Sequence, residues 1–258
     1  MSEDLDSGTL RLDIVGAGPA YTNRPGATGA AYLVRHGTTA LLMDLGQGAF
    51  PRLAGLLDPA DITAILISHL HPDHFIDLVP LRHYLRWGKR GTRRVRVIAP
   101  TGLATRLDAL HADAGFTAAA LDVESMPLTD LRVGPLSVEL CPVTHDGASY
   151  AFRLCRTNRP GLVYTGDCGR AEDVDALIRP GDVLLSEVSF GPGPVPTDAA
   201  HLDGPSVGAL AARTGVSRVL LTHLLMDYDE AQTVAAVQRA FPGPVAFVQP
   251  GDHYAIEG

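Results

Sequence analysis

Ile62-Thr63-Ala64-Ile65-Leu66-Ile67-Ser68-His69-Leu70-His71-Pro72-Asp73-His74 is the stretch on which the fold turns. Its first six residues are apolar or β-branched, the pattern of a strand buried on both faces of a sheet. Four of its last six residues carry metal-competent side chains: His69, His71, Asp73 and His74. Neutral imidazole nitrogens and carboxylate oxygens suit zinc, and also manganese and ferrous iron. His69 and His71 stand two apart in an extended segment and so face one side. Asp73 and His74 open the next turn and reach a second point, a division of donors that two metals about 3.5–4 Å apart would satisfy. A lone histidine at a strand end is usually a satisfied polar residue, but four donors at this spacing behind a buried strand are not explained that way.

Outward from this run, residues 10–15, 30–34 and 39–44 read as strands, the first closing at Gly16-Ala17-Gly18-Pro19. A short helix is predicted over 48–57. After the metal-competent run, Phe75, Leu78, Val79, Leu81 and Leu85 give a helical apolar period. Strands are predicted over 95–99, 131–143, 150–154, 162–165, 183–185, 219–222 and 245–248. Helices are predicted over 103–114, 172–178, 205–213 and 229–240, and the stretch 102–126 reads as core helix and strand. Strands first, then strands and helices interleaved, suit a layered α/β domain. No repeat or compositional break divides the chain, so one domain over 1–258 is expected, with 1–8 as a flexible start.

More donors recur near strand ends: His145, Asp167 in Thr165-Gly166-Asp167, and His223 after Thr222. With Met43-Asp44-Leu45-Gly46 and the H-x-H-x-D-H run, these five pieces, in this order, resemble the metallo-β-lactamase superfamily over essentially the whole length. The resemblance implies a four-layer αββα sandwich and a dinuclear hydrolase. It places His69, His71 and His145 on one metal, Asp73, His74 and His223 on the other, and Asp167 on both. It implies that Asp44 orients the ligands by hydrogen bonding, although an Asp before Leu45-Gly46 also suits a turn. Zinc ranks first for the two divalent ions, and the ligand set also suits manganese or iron. The diiron oxygen-reducing members carry a carboxylate where this chain has His71, which favours hydrolysis.

Leu185-Ser186-Glu187-Val188-Ser189-Phe190, followed by Ala200-His201-Leu202, resembles the ribonuclease Z-like, phosphodiester-cleaving branch. That resemblance gives Glu187 and His201, with Asp73, as catalytic residues; a histidine bonded to a carboxylate suits general acid work. The bland alternatives are a surface Glu187 and a His201 that caps the following helix. Within the branch, a small cyclic phosphodiester such as a cyclic nucleotide ranks first as substrate. A tRNA 3′-end-processing nuclease ranks second, because no insertion of a length to grip tRNA is visible and Tyr21-Thr22-Asn23-Arg24-Pro25 only partly matches that group. Other ester or lactone hydrolysis, or a metal-stabilised binding module without catalysis, ranks lower. A homodimer is expected on resemblance alone.

The formal net charge of -8 argues against a dedicated nucleic-acid binder. Against that background, Arg82, Arg86, Lys89, Arg90, Arg93, Arg94 and Arg96 place seven cations within fifteen residues, with Tyr84 and Trp87 among them. This stretch is read as a solvated helix end or a dimer contact ahead of an RNA-binding edge. The three cysteines, Cys141, Cys155 and Cys168, form no C-x-x-C pair. With no secretory leader visible, they point to a reducing cytoplasm. No apolar run approaches the roughly 18 residues of a membrane span. Cys168 adjoins Asp167 and is read as a small buried residue. His253 is read as structural.

Overall fold

The computed structural model describes residues 9–88, 91–127 and 129–256. The expected flexible start at 1–8, and Lys89 and Arg90 of the basic stretch, lie outside the described residues. One sheet runs through β1 (Leu10–Gly16), β2 (Ala31–His36) and β3 (Thr39–Met43) as an antiparallel meander. It continues in parallel through β4 (Ala64–Leu66), β5 (Val95–Ala99) and β6 (Leu121–Ser125). The second sheet repeats the plan. β7 (Leu131–Val133), β8 (Leu136–Pro142), β9 (Tyr150–Cys155) and β10 (Leu162–Tyr164) pair antiparallel. β10 then begins a parallel series with β11 (Val183–Glu187), β12 (Arg218–Thr222) and β13 (Val245–Phe247). β14 (His253–Ile256) returns to the first sheet, antiparallel to β1.

Three buried apolar clusters make the layers. Leu12, Ile14, Leu41 and Leu66 from the first sheet meet Val138, Phe152, Leu154 and Leu185 from the second. The outer face of the first sheet, with Leu33, Leu42, Ile65 and Val97, is covered by α1 (Phe50–Leu56), α3 (Leu78–Trp87) and α4 (Leu103–His111). That of the second, with Val163, Leu184 and Leu221, is covered by α5 (Gly204–Thr214) and α6 (Glu230–Gln238). Each such side chain contributes about 1.5–3 kcal/mol on burial. This is the αββα sandwich, and both faces of the parallel strands are covered, which is why they read as unbroken apolar runs.

Several sequence expectations are corrected. The strand predicted over 131–143 is two, because Gly134 takes the left-handed conformation (φ 56°) and turns the chain between Val133 and Leu136. The helix predicted over 172–178 is a 3-10 turn at Ala171–Val174. Its helical spacing of Val174, Leu177 and Ile178 serves burial in a loop instead. β14 was not foreseen, and His253 lies on it opposite Asp13. Among the described residues, no helix is long and apolar enough to cross a membrane.

Among the described residues of the basic stretch, Arg82, Arg86, Arg94 and Arg96 are engaged within the chain. Arg82, read as solvated, is buried: its Nε donates to the Phe116 carbonyl at 2.7 Å and its guanidinium lies 4.2 Å from the Phe116 ring centre. Arg94 pairs with Asp122, and Arg96 with Glu124 at 2.8 Å, on the neighbouring strand β6. Arg86 donates to Thr92 Oγ1 and stacks on Trp87, which is 71% exposed.

Candidate metal centre

Every expected donor hangs from the carboxyl end of a strand, where α/β sheets place their ligands. His69, His71, Asp73 and His74 follow β4; His145 follows β8; Asp167 follows β10; His223 follows β12. His71 stays extended, and Pro72 then starts the one-turn helix α2 (Pro72–Phe75), which turns Asp73 and His74 inward. Two backbone ties hold that turn against the end of β3: Ala30 N–H to the Asp73 carbonyl at 3.0 Å, and Leu45 N–H to the His74 carbonyl at 2.8 Å. Position 46 must be glycine there, since a Cβ would collide with the Asp73 carbonyl oxygen. Asp44 (φ 58°) and His223 (φ 59°) both sit in the left-handed region, which non-glycine residues rarely adopt.

The structure brings all seven donors together. Single ligand-capable atoms of His69, His71, His145 and Asp167 lie within 4.8 Å of one another, and so do those of Asp73, His74 and His223. Asp167 faces both groups. Its Oδ2 is 3.7 Å from His69 Nε2 and 3.7 Å from His145 Nε2; its Oδ1 is 3.4 Å from His74 Nε2 and 3.6 Å from His223 Nε2. On the His145 side, His71 turns Nδ1 inward, 3.2 Å from His145 Nε2.

The outward ring nitrogens of His74 and His145 are occupied. Asp44, fully buried, accepts from His74 Nδ1 at 2.7 Å, Ser68 N at 2.7 Å, Ser68 Oγ at 2.7 Å and Tyr164 OH at 2.8 Å. His145 Nδ1 lies 2.9 Å from the Ala200 carbonyl, which can only accept, so a hydrogen is on Nδ1 and it is Nε2 that faces the cluster. Asp44 thus fixes the ring of His74, and its left-handed backbone also makes the turn.

Two observations show that a cation fits. His69 Nε2 and Asp167 Oδ1 are buried and make no hydrogen bond, a state that costs about 1–3 kcal/mol per group unless something charged or polar meets it. The electrostatics agree. Burial, with the charge of His74, pushes the His69 imidazole well below its usual value, so its lone pair is free. Burial also works against a charge on His74, but Asp167 and Asp44 outweigh it and hold that ring well above its usual value. A site that draws a proton between its carboxylates is one that favours positive charge.

Beside this cluster stands a second arrangement. Glu187 ends β11 and is 1% exposed, not a surface residue. His201 does not cap α5, because Asp203 does so by accepting from Ser206 N. His201 Nδ1 is instead 3.0 Å from Glu187 Oε1 and 4.0 Å from Asp167 Oδ2. Burial pulls the His201 imidazole down, but the adjacent Glu187 carboxylate lifts it to about 9.

Comparison with known proteins now places the chain. Residues 41–224 match the Beta-lactamase superfamily domain. The chain belongs to the metallo-β-lactamase superfamily. Within this superfamily of metallo-hydrolases, it is 29% identical over 261 residues to an uncharacterized protein of Mycobacterium leprae, covering 96% of this chain and 89% of that one. It is 27% identical over 266 residues to a ribonuclease Z of Mycolicibacterium paratuberculosis, covering 92% and 94%. The crystal structure of the metallo-beta-lactamase fold protein YhfI from Bacillus subtilis superposes with a TM-score of 0.85 at 21% identity, covering 96% and 99%.

The superfamily motifs do not name every residue that shapes the site. Ser68 and Ser189 contact His69 and His223 respectively. Tyr164 and Thr222 form a buried polar layer beneath, with Tyr32 OH 2.7 Å from Thr222 Oγ1. Ser189 lies in the turn that follows β11, two residues after Glu187. Cys168 belongs to the helix-side core, its thiol donating to the Arg170 carbonyl.

Proposed function

We propose that the chain is a phosphodiester hydrolase that works with two divalent cations, zinc in the first place, on a small cyclic phosphodiester such as a cyclic nucleotide. The observation that carries this reading is the Glu187–His201 pair set 4.0 Å from Asp167. His69, His71 and His145 would hold one cation, Asp73, His74 and His223 the other, and Asp167 would give one oxygen to each. When bound, such a pair brings the pKa of water toward neutrality and offsets charge on the attacked phosphoryl group. The chain's own residues supply the proton traffic. Asp73 is kept ionised because its hydrogen bond from His223 and the charges of His74 and His223 outweigh burial, so it is placed to accept a proton from the attacking water. His201, steered by Glu187 through Nδ1, keeps a proton to give to the leaving oxygen.

The loop after β1 is tied to the loop that follows His223, whose N–H donates to the Ala17 carbonyl at 3.0 Å. Arg24 ties two loops together, its Nη1 donating to the Leu224 carbonyl at 2.7 Å and its Nη2 to the Tyr228 carbonyl at 3.1 Å. On these loops Tyr21 is 57% and Met226 37% exposed. The second reading, cleavage of precursor tRNA, is favoured by the ribonuclease Z relative. It is disfavoured by the internal pairing of Arg82, Arg94 and Arg96.

A panel assay of zinc-loaded protein decides. Hydrolysis of cyclic nucleotides or ribosyl cyclic phosphates, abolished in Asp73→Ala and His74→Ala, is the expected outcome. Precursor-tRNA cleavage with affinity falling steeply with salt would replace it with the second reading. A loaded protein inert on every phosphodiester would sink both.

A further inference from the structure

Ser189 is 1% exposed and stands where the two arrangements meet. Its Oγ lies 2.7 Å from Glu187 Oε2, 3.1 Å from His223 Nδ1 and 3.2 Å from His201 Nδ1. A serine hydroxyl has one proton to donate and lone pairs with which to accept. The Glu187 carboxylate can only accept, and it makes the shortest contact, so the Ser189 proton belongs to it. The hydroxyl therefore meets His223 as an acceptor, and His223 must carry hydrogen on Nδ1. In the neutral ring Nε2 is then the lone pair, 3.1 Å from Asp73 Oδ2 and 3.6 Å from Asp167 Oδ1. With the ring neutral, three sets of lone pairs face one another, and a cation between them would take the place of the proton that His223 otherwise gives to Asp73.

We infer that Ser189 is a positioning residue: one hydroxyl, fixed by Glu187, sets the tautomer of His223 so that Nε2 faces the cation site. The same hydroxyl thereby joins that site to the Glu187–His201 pair. The fold uses the device twice. Ser68 Oγ donates to Asp44 Oδ2 at 2.7 Å and accepts from His69 Nδ1 at 3.1 Å, which leaves His69 Nε2 bare. The consequence for cation binding rests on the two-cation reading above, whereas the tautomer is a property of the chain itself.

Nitrogen-15 NMR with long-range proton correlation assigns histidine tautomers directly. In zinc-loaded protein, and in metal-free protein at a pH high enough for a neutral ring, His223 is expected with hydrogen on Nδ1. Zinc affinity is then compared by chelator competition in Ser189→Ala, Ser189→Thr and Ser189→Val. Loss of the hydroxyl in the Ala and Val variants is expected to weaken one of the two zinc affinities about 10–100-fold. Threonine keeps the hydroxyl and is expected to keep both. Thr and Val share a shape, so the difference between them is the hydroxyl and not packing. Hydrogen on His223 Nε2 in the wild-type protein overturns the inference without any variant. Unchanged zinc affinities in Ser189→Val overturn its consequence. If both results hold while the loaded protein hydrolyses no phosphodiester, the functional reading fails and the role of Ser189 stands.

Discussion

Glu187 takes five hydrogen bonds in a site from which water is almost excluded. Cys168 N, Leu202 N and His201 Nδ1 reach Oε1, while Ser189 N and Ser189 Oγ reach Oε2. That many donors offset the desolvation of a buried carboxylate and fix its position, and so fix His201. If His201 protonates the leaving oxygen, His201→Ala should depend on what leaves. With an alkoxide leaving group, as in a cyclic nucleotide, kcat is expected to fall about 10²–10⁴-fold. With p-nitrophenolate, which needs no proton to depart, the loss should be small. Equal losses on both substrates, measured in parallel with bis-(p-nitrophenyl) phosphate, would remove His201 from that role. At this scale much was legible: the spacing of His69 to His74 announces its chemistry, and resemblance extends it to Glu187 and His201. Ser68 and Ser189 were not legible, because a serine's role depends on which acceptor takes its one proton, and that is a matter of three-dimensional distance.

The strand that delivers Glu187 is secured at its other end. Asp182, fully buried at the entrance to β11, accepts from Arg153 Nε at 2.7 Å, Arg153 Nη2 at 3.0 Å, Gly161 N at 2.7 Å and Arg179 N at 2.8 Å. Arg153 is itself 5% exposed. Asp182→Ala leaves a buried guanidinium with its main partner gone, and about 3–5 kcal/mol of stability is expected to be lost. Urea unfolding of the variant measures this directly, and a change under 1 kcal/mol would show that the network tolerates the loss. The apolar strands of the two cores were legible because parallel strands covered on both faces have no polar alternation to blur them. β14 was missed for the opposite reason: it is four residues at a sheet edge, too short for the alternation of exposed His253 and Ala255 with inward Tyr254 and Ile256 to stand out. The stretch over 172–178 misled because buried residues at i, i+3 and i+4 can line a loop as well as a helix.

Across the whole molecule, Asp44, Asp73, Asp167 and Glu187 gather four buried carboxylates at one mouth of the sandwich. Cation binding should therefore stabilise the fold as well as equip the site. At a free concentration 100 times Kd, one bound ion contributes about 2.7 kcal/mol. A chain of this size then gains roughly 5–10 °C in Tm. Calorimetry with zinc and then with chelator checks this, and a Tm indifferent to both would contradict a cation site here. The layered class was legible from element order and the stacking of two sheets from resemblance, but the return of β14 to the first sheet was not, because Leu10 and Ile256, which pair there, lie at opposite ends of the described chain. That stacking has a consequence for the chemistry. His69, His71, Asp73 and His74 hang from one sheet; His145, Asp167 and His223 hang from the other. The candidate centre is thus a docking interface folded inside a single polypeptide. A substitution deep between the sheets, far from any donor, changes the gap across which the two sets face each other, and the centre can be retuned with every donor left in place.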